Sequence, residues 1–283
     1  MNWSTFFTRL GSAIVFCIIM MFGLLSGYYE AMLGLVLLIQ FLCLKEFNML
    51  MGKIIATTGL NTLINKTDEH TEEVPVWLNI LTQIAGVISL IGIFLFDYQS
   101  MFLFLIPLII ILITSLHKKS YVLQGFSSII GLLYISLPLS FLLSLWAIDP
   151  TIPLAIILMI WMNDTMAYIV GSFIGKTPFS AISPKKTWEG TLGGIFLTIL
   201  GAYIYSRFDT AYKTQDWMIL SLIVTSMGTI GDLLESKLKR LAGVKDSGNI
   251  MPGHGGALDR FDSLLVCIPF AFCYVVLFMV SMA

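Results

Sequence analysis

The segment Ser236 to Asp262, SKLKRLAGVKDSGNIMPGHGGALDRFD, concentrates side chains that bind anions and metal ions. It carries five cations (Lys237, Lys239, Arg240, Lys245, Arg260), the carboxylates Asp246, Asp259 and Asp262, one histidine, His254, and a series of glycines. Just upstream, Asp232, Glu235, Ser236 and Lys239 follow the i, i+3, i+4, i+7 spacing of one helical face. That face is expected to bring Asp232 and Glu235 toward Asp259 and Asp262, which are one turn apart if helical. Four carboxylates repel one another unless cations sit among them. Hard divalent ions such as Mg²⁺ take oxygen ligands and are held by one or two carboxylates plus substrate phosphates. The neighbouring Lys and Arg side chains would balance the remaining phosphate charge. The pattern points to a metal-bound polyphosphate, hence a nucleotide. No GxxxxGK[ST] run is present, so the site is not a P-loop. His254, within Pro-Gly-His-Gly-Gly, sits where the backbone can turn tightly beside a ligand. It reads equally as an active-site group or as a structural residue.

A second polar island runs from Trp161 to Gly190, WMNDTMAYIVGSFIGKTPFSAISPKKTWEG. Asp164 lies deep in an apolar run. Carboxylates there are costly and usually face a bundle interior or a water-filled cavity. Helical spacing places Asp164, Ala167, Tyr168 and Gly171 on one face. The alternative is a polar contact between helices. Lys185 and Lys186, next to a Ser-Pro turn, read either as a phosphate-binding pair or as membrane anchors that snorkel to the interface. Together with the following Trp-Glu-Gly they favour substrate binding.

The elements that position these residues are helices in lipid. The chain has 283 residues, of which 57% are hydrophobic and 12% charged, with mean hydropathy +0.90. Ordinary soluble domains carry about 25% charged residues. A helix needs about 20 apolar residues to cross a bilayer. Scanning at that length gives spans at roughly 12–28, 30–47, 78–96, 99–116, 121–146, 151–174, 190–206, 216–235 and 262–282. The expected fold is all-α, a polytopic membrane helix bundle of about nine transmembrane helices. It forms one integral-membrane domain over 1–283, with N-terminal spans over 1–150 and catalytic spans and loops over 151–283. The first span is read as part of a retained hairpin and not as a cleaved signal, because a second apolar run follows at once. Pro107, Pro138 and Pro153 do not exclude helices, since neighbouring helices satisfy freed carbonyls in lipid.

With nine spans, every basic residue except Arg207 and Lys213 falls on the side of the N-terminus. Lys and Arg accumulate in cytoplasmic loops, so the N-terminus and the 236–262 loop are expected in the cytoplasm. The polar insert at 51–77, with Asp68, Glu69, Glu72 and Glu73, reads as a solvated loop or short surface helix. Cys17, Cys43, Cys267 and Cys273 all lie in apolar runs without CxxC or Cys/His spacing, so neither thiolate metal sites nor a disulfide framework is suggested.

The residues from Trp161 to Ser263 resemble the phosphatidate cytidylyltransferase (CDP-diacylglycerol synthase) family. Its C-terminal signature, S-x-x-K-R, four residues, K-D, then H-G-G and D-R-x-D, falls on Ser236, Lys239, Arg240, Lys245, Asp246, His254, Gly255, Gly256, Asp259, Arg260 and Asp262. SPKKTWEG and the Asp164–Tyr168 segment are also similar to that family, while Met251 and Ala257 depart from its usual residues. The resemblance implies CTP + phosphatidate → CDP-diacylglycerol + pyrophosphate, with Mg²⁺ as cofactor and K⁺ as the candidate second ion. It also implies a homodimer in the inner membrane, substrates drawn from the cytoplasm and the bilayer, and no nucleic-acid partner. Under it, Asp232, Asp259 and Asp262 bind metal. Lys239, Arg240, Lys245 and Arg260 hold CTP phosphates, and Asp164, Lys185 and Lys186 shape the pocket and meet the lipid phosphate. Tyr168 and Ser236 join the substrate-binding set, and Asp246 and His254 the catalytic set. The alternatives are a CTP-dependent polyprenol or lipid-alcohol kinase and an ion-coupled transporter. A CDP-alcohol phosphotransferase is disfavoured because D-G-x-x-A-R is absent.

Overall fold

The structure, a computed structural model, describes residues 3–58, 74–96, 105–117, 122–250 and 255–280, without the side chains of 3–9, 93–96 and 117. His254 lies outside the described residues, as do Lys66, the acidic cluster of the insert, and Lys118 and Lys119.

Each expected apolar span has a helix among the described residues: α1 (Trp3–Leu25), α2 (Tyr29–Thr57), α3 (Val76–Phe96), α4 (Leu105–His117), α5 (Val122–Ile148), α6 (Thr151–Ile174), α7 (Trp188–Tyr205), α8 (Thr214–Leu241) and α9 (Leu258–Met279). Of these, α2, α5, α6, α8 and α9 are long and apolar enough to cross a bilayer, and Leu10–Leu25, Val76–Gly92 and Leu105–Leu116 are shorter apolar stretches. The molecule is an all-α polytopic membrane protein. Its one β element among the described residues is a hairpin of β1 (Pro178–Ser180) and β2 (Ser183–Thr187).

Local chemistry explains the helix details. In α5 the turn Leu132–Ser136 is π-helical, directly before Pro138. Proline lacks an N–H and crowds the carbonyl four residues back, here that of Tyr134. The wider turn accommodates this without ending the helix. The insert begins later than expected. Helix α2 continues from Met51 to Thr57 with Gly52, Ile54 and Ile55 buried, because the apolar stripe resumes beyond Lys45 and Lys53. Val76 and Trp77 likewise already belong to α3.

The chain forms two compact units, Met1–Ile148 with Leu238–Arg260, and Asp149–Lys237 with Phe261–Ala283. The boundaries fall inside α8 and α9. In the first unit Leu24, Met32, Leu44, Phe47, Leu90 and Ile135 are almost completely buried. Trp146 closes the α1–α2 turn by donating Nε1–H to the Leu24 carbonyl at 3.2 Å. Its ring meets Tyr29 edge-on at 5.5 Å.

In the second unit α6 and α7 pack backbone to backbone. A Cβ on Gly190 would lie 2.9 Å from the Gly171 Cα, and one on Gly194 2.9 Å from the Asn163 carbonyl. Small residues at such positions let membrane helices approach closely, which is how they gain dispersion energy where lipid removes any hydrophobic drive. Near the start of α8, fully buried Trp217 donates to Asp209 at 2.7 Å, and Tyr212 donates to Asp149 at 3.0 Å.

Candidate functional site

In the second unit, the hairpin that follows α6 turns the basic pair toward a cavity. Pro178 pairs with Thr187 and Ser180 with Ser183, so the expected Ser-Pro turn is the first part of a strand. Thr187 then caps α7, its Oγ1 accepting the Gly190 amide at 3.1 Å. Thr and Ser do this well because their side-chain oxygen meets an otherwise unpaired first-turn amide. Phe179 and Trp188 meet edge to face at 4.5 Å and brace the hairpin's base.

Glu189 secures the link from α6 to β1. One oxygen accepts the amides of Lys176 and Thr177, both at 3.2 Å, and the other the Thr177 hydroxyl at 2.8 Å. Hydrogen bonds from its own backbone amide, the Thr177 hydroxyl, and the Lys176 and Thr177 amides hold its carboxyl down at about 2. Each of these bonds favours the ionised form.

The cavity measures about 450 Å³ and is lined by Asn163, Asp164, Tyr168, Lys185, Lys186 and Asp232, among others. The helical face expected of Asp164 and Tyr168 therefore opens onto the same space as the basic pair. Lys186 is ion-paired with Asp232, and Asp232 also accepts the Ser236 hydroxyl at 3.3 Å, one turn on. Helix α9 runs against this turn of α8. A Cβ on Gly228 would sit 3.4 Å from that of Ser263, and one on Gly231 would strike the Asp262 carbonyl. Asp262 is thus brought to the α8 turn that carries Asp232. Its carboxylate accepts the Ser263 amide at 2.6 Å.

In the first unit, α8 ends on Lys239 and Arg240, cations that complement the negative end of the helix dipole. Gly243, at φ +68°, stops the helix in the left-handed region, and the Val244 amide returns to the Lys239 carbonyl at 2.9 Å. Lys239 reaches Asp259 at 2.5 Å. The other Asp259 oxygen accepts the Gly256 amide at 2.8 Å and both the amide and the hydroxyl of Ser247 at 3.0 Å. Gly255, at φ +85°, comes so near that a Cβ there would lie 2.7 Å from that oxygen. Arg240, Lys245, Asp246 and Arg260 are exposed.

Of the expected set Asp232, Glu235, Asp259 and Asp262, the second unit brings Asp262 to the turn of Asp232, and Asp259 belongs to the first unit. Among the described residues no group of three or more His, Cys, Asp or Glu side chains is placed to hold a metal ion. Glu235 is fully buried, and Asp259 is held by Lys239 and loop donors. The donor chemistry fits a different kind of metal site. Mg²⁺ commonly takes only one or two protein carboxylates and completes its shell with water and substrate phosphates. Asp232 and Asp164 beside Lys185 and Lys186 suit that arrangement.

Two contributors escaped the sequence reading. Glu46 of α2 is completely buried and accepts the Ser247 hydroxyl at 2.8 Å and the Ala257 and Leu258 amides at 3.0 and 2.8 Å. Ser247 itself was passed over inside the loop. An acidic residue continuing an apolar run was the available signal, of the same kind that marked Asp164.

A model of the family described as "Cytidylyltransferase family" matches residues 7–278. A phosphatidate cytidylyltransferase of Staphylococcus epidermidis is 48% identical over 114 residues, 40% of this chain and 44% of that protein. Those of Staphylococcus haemolyticus and Staphylococcus aureus are 44% identical over 115 residues, again 40% of this chain and 44% of theirs. The aligned part thus spans less than half the length of these curated relatives.

Proposed function

The chain belongs to the cytidylyltransferase family, and on that premise we propose that it is a phosphatidate cytidylyltransferase, converting CTP and phosphatidate to CDP-diacylglycerol and pyrophosphate. The observation that carries the reading is the cavity that sets Lys185 and Lys186 against Asp232 and Asp164 in a unit otherwise built of apolar helices. Ionisable residues such as Asp164 and Asp232 within apolar helices are costly and usually mark a functional site.

In the proposed reaction a phosphate oxygen of phosphatidate forms a bond to the α-phosphorus of CTP. The bond from that phosphorus to the oxygen bridging the α- and β-phosphates breaks, and both electrons leave with pyrophosphate. The nucleophile is already an oxyanion, so no side chain has to remove a proton. The work left to the protein is in-line positioning and charge neutralisation, the general demand of phosphoryl transfer. Lys185 and Lys186 hold the lipid phosphate, with Asp164 and Tyr168 shaping the cavity. Lys239, Arg240, Lys245 and Arg260 bind phosphates of CTP. Asp259 keeps Lys239 extended, and Asp246 and His254 complete the catalytic set. Mg²⁺, with Asp232 and Asp164 of the cavity as its carboxylate donors, would supply neutralisation of the triphosphate when bound, with K⁺ as a second ion. As proposed it would be a homodimer of the inner membrane with a cytoplasmic N-terminus; the one-sided distribution of basic residues supports the orientation.

The test is incubation of purified protein in lipid with CTP labelled at the α- or at the γ-phosphate. Label entering lipid from the α-position supports cytidylyl transfer. Label from the γ-position identifies a lipid kinase, and ion or solute flux without turnover a transporter.

A further inference from the structure

Glu46 has no part in the reaction as derived, yet it is the most completely buried carboxylate whose hydrogen bonds tie two distant parts of the chain. It lies in the middle of α2 with no exposed surface. Three donors from the 247–258 segment converge on it, the Ser247 hydroxyl and the Leu258 amide on one oxygen and the Ala257 amide on the other. Two of these are the amide of the first residue of α9 and that of the residue just before it, which have no partner inside the helix. Residues 247, 248 and 256–258 are shaped around this carboxylate. A Cβ on either Gly248 or Gly256 would collide with it. The Ser247 hydroxyl touches Asp259 as well, at 3.0 Å, and Asp259 holds Lys239 at 2.5 Å. One polar chain therefore runs Glu46, Ser247, Asp259, Lys239.

We infer that Glu46 is a positioning residue for Asp259 and Lys239, setting them through Ser247 and the start of α9. A hydroxyl carries one proton, so Ser247 donates to Glu46 or to Asp259 at any moment. The choice is set by the other donors on each carboxylate. A carboxamide at 46 would offer an NH₂ group to donors and leave one of them unpaired, the costly outcome for a buried polar group.

The inference rests on the proposed function only where activity is the readout. Glu46→Gln and Ser247→Ala, singly and together, are compared with the full-length wild type in lipid by amide exchange over 247–250 and 255–258 and by kcat and KM. Glu46→Gln is expected to exchange about tenfold faster or more in both stretches. Its kcat should fall about tenfold, with KM for phosphatidate unchanged. The double variant should be no worse than the stronger single one, because both break the same chain of contacts. Wild-type exchange in Glu46→Gln, or additive losses in the double variant, overturns the inference. Should Glu46→Gln fail to fold, Ser247→Ala decides, and wild-type exchange and kcat in that variant overturn it. Should the wild type transfer no label from CTP, the functional reading fails while the exchange comparison still stands.

Discussion

Lys186 and Asp232 are ion-paired at the wall of the cavity, with 29% and 28% of their side chains still exposed. Half-wetted pairs contribute little stability, about 0–1 kcal/mol, so the pair is better explained by what the cavity receives. Asp232→Asn should leave the thermal midpoint within a few degrees of wild type. It should lower kcat by about 10²–10³-fold, as removal of one charge-stabilising group from a transition state commonly does. A thermal midpoint that drops while turnover persists would make the pair structural.

Lys186→Met should act on the lipid side. With the ammonium gone, KM for phosphatidate is expected to rise about tenfold, the effect of losing one charge-assisted contact of about 1.4 kcal/mol. KM for CTP should change less. Initial rates with either substrate varied would show this, and an effect confined to CTP would reverse the assignment.

Asp259→Asn keeps the shape of the side chain but removes the charge that holds Lys239 at 2.5 Å. Turnover should be abolished while the protein still inserts in membranes and elutes as wild type does. Normal activity in this variant would remove Asp259 from the machinery.

Gly190→Val tests the α6–α7 contact. The added side chain would meet the Ala167 carbonyl, 2.7 Å from its Cβ, and the Gly171 backbone. Overpacking of this kind costs about 1–3 kcal/mol. Loss of thermal stability and of activity should appear together in denaturation scans and turnover assays, unlike the Asp232 variant, where only activity falls.

The Glu189 clamp has an acid limit. Its carboxyl sits at about 2 in the fold against an ordinary 4.5. Below 4.5 the unfolded chain takes up a proton that the folded one refuses, so stability is complete above that value and is lost as pH falls toward 2. Labelling Trp188 with 5-fluorotryptophan and following its ¹⁹F resonance, assigned with Trp188→Phe, should show an unchanged hairpin well below pH 4.5 and a change as pH approaches 2. In Glu189→Gln the resonance should already be altered at neutral pH.

Magnesium dependence is checked directly. Chelation should stop label transfer from CTP and added Mg²⁺ restore it. Undiminished transfer in excess chelator would remove the metal from the proposal.

Hydropathy located the five long apolar helices because burial in lipid is decided over about 20 consecutive residues, a length each of these five contains. For the same reason the isolated charges Asp164, Lys185, Lys186 and Asp232 stood out against their apolar surroundings, and the cavity gathers all four. The face shared by Asp232 and Ser236 was readable from helical spacing alone. The extent of the 51–77 insert was not, since Lys53 hides the apolar stripe that carries α2 to Thr57.

Membrane class, helix positions and the list of polar residues were legible from order and composition, because each depends on neighbours a few positions apart. Tertiary structure alone settled which charges pair. Lys186 meets Asp232, Lys239 takes up Asp259, and Glu46 accepts an amide 212 residues further along the chain. Hydrogen bonds and ion pairs act over about 3 Å, and only the packed helices decide which distant side chains come within that reach.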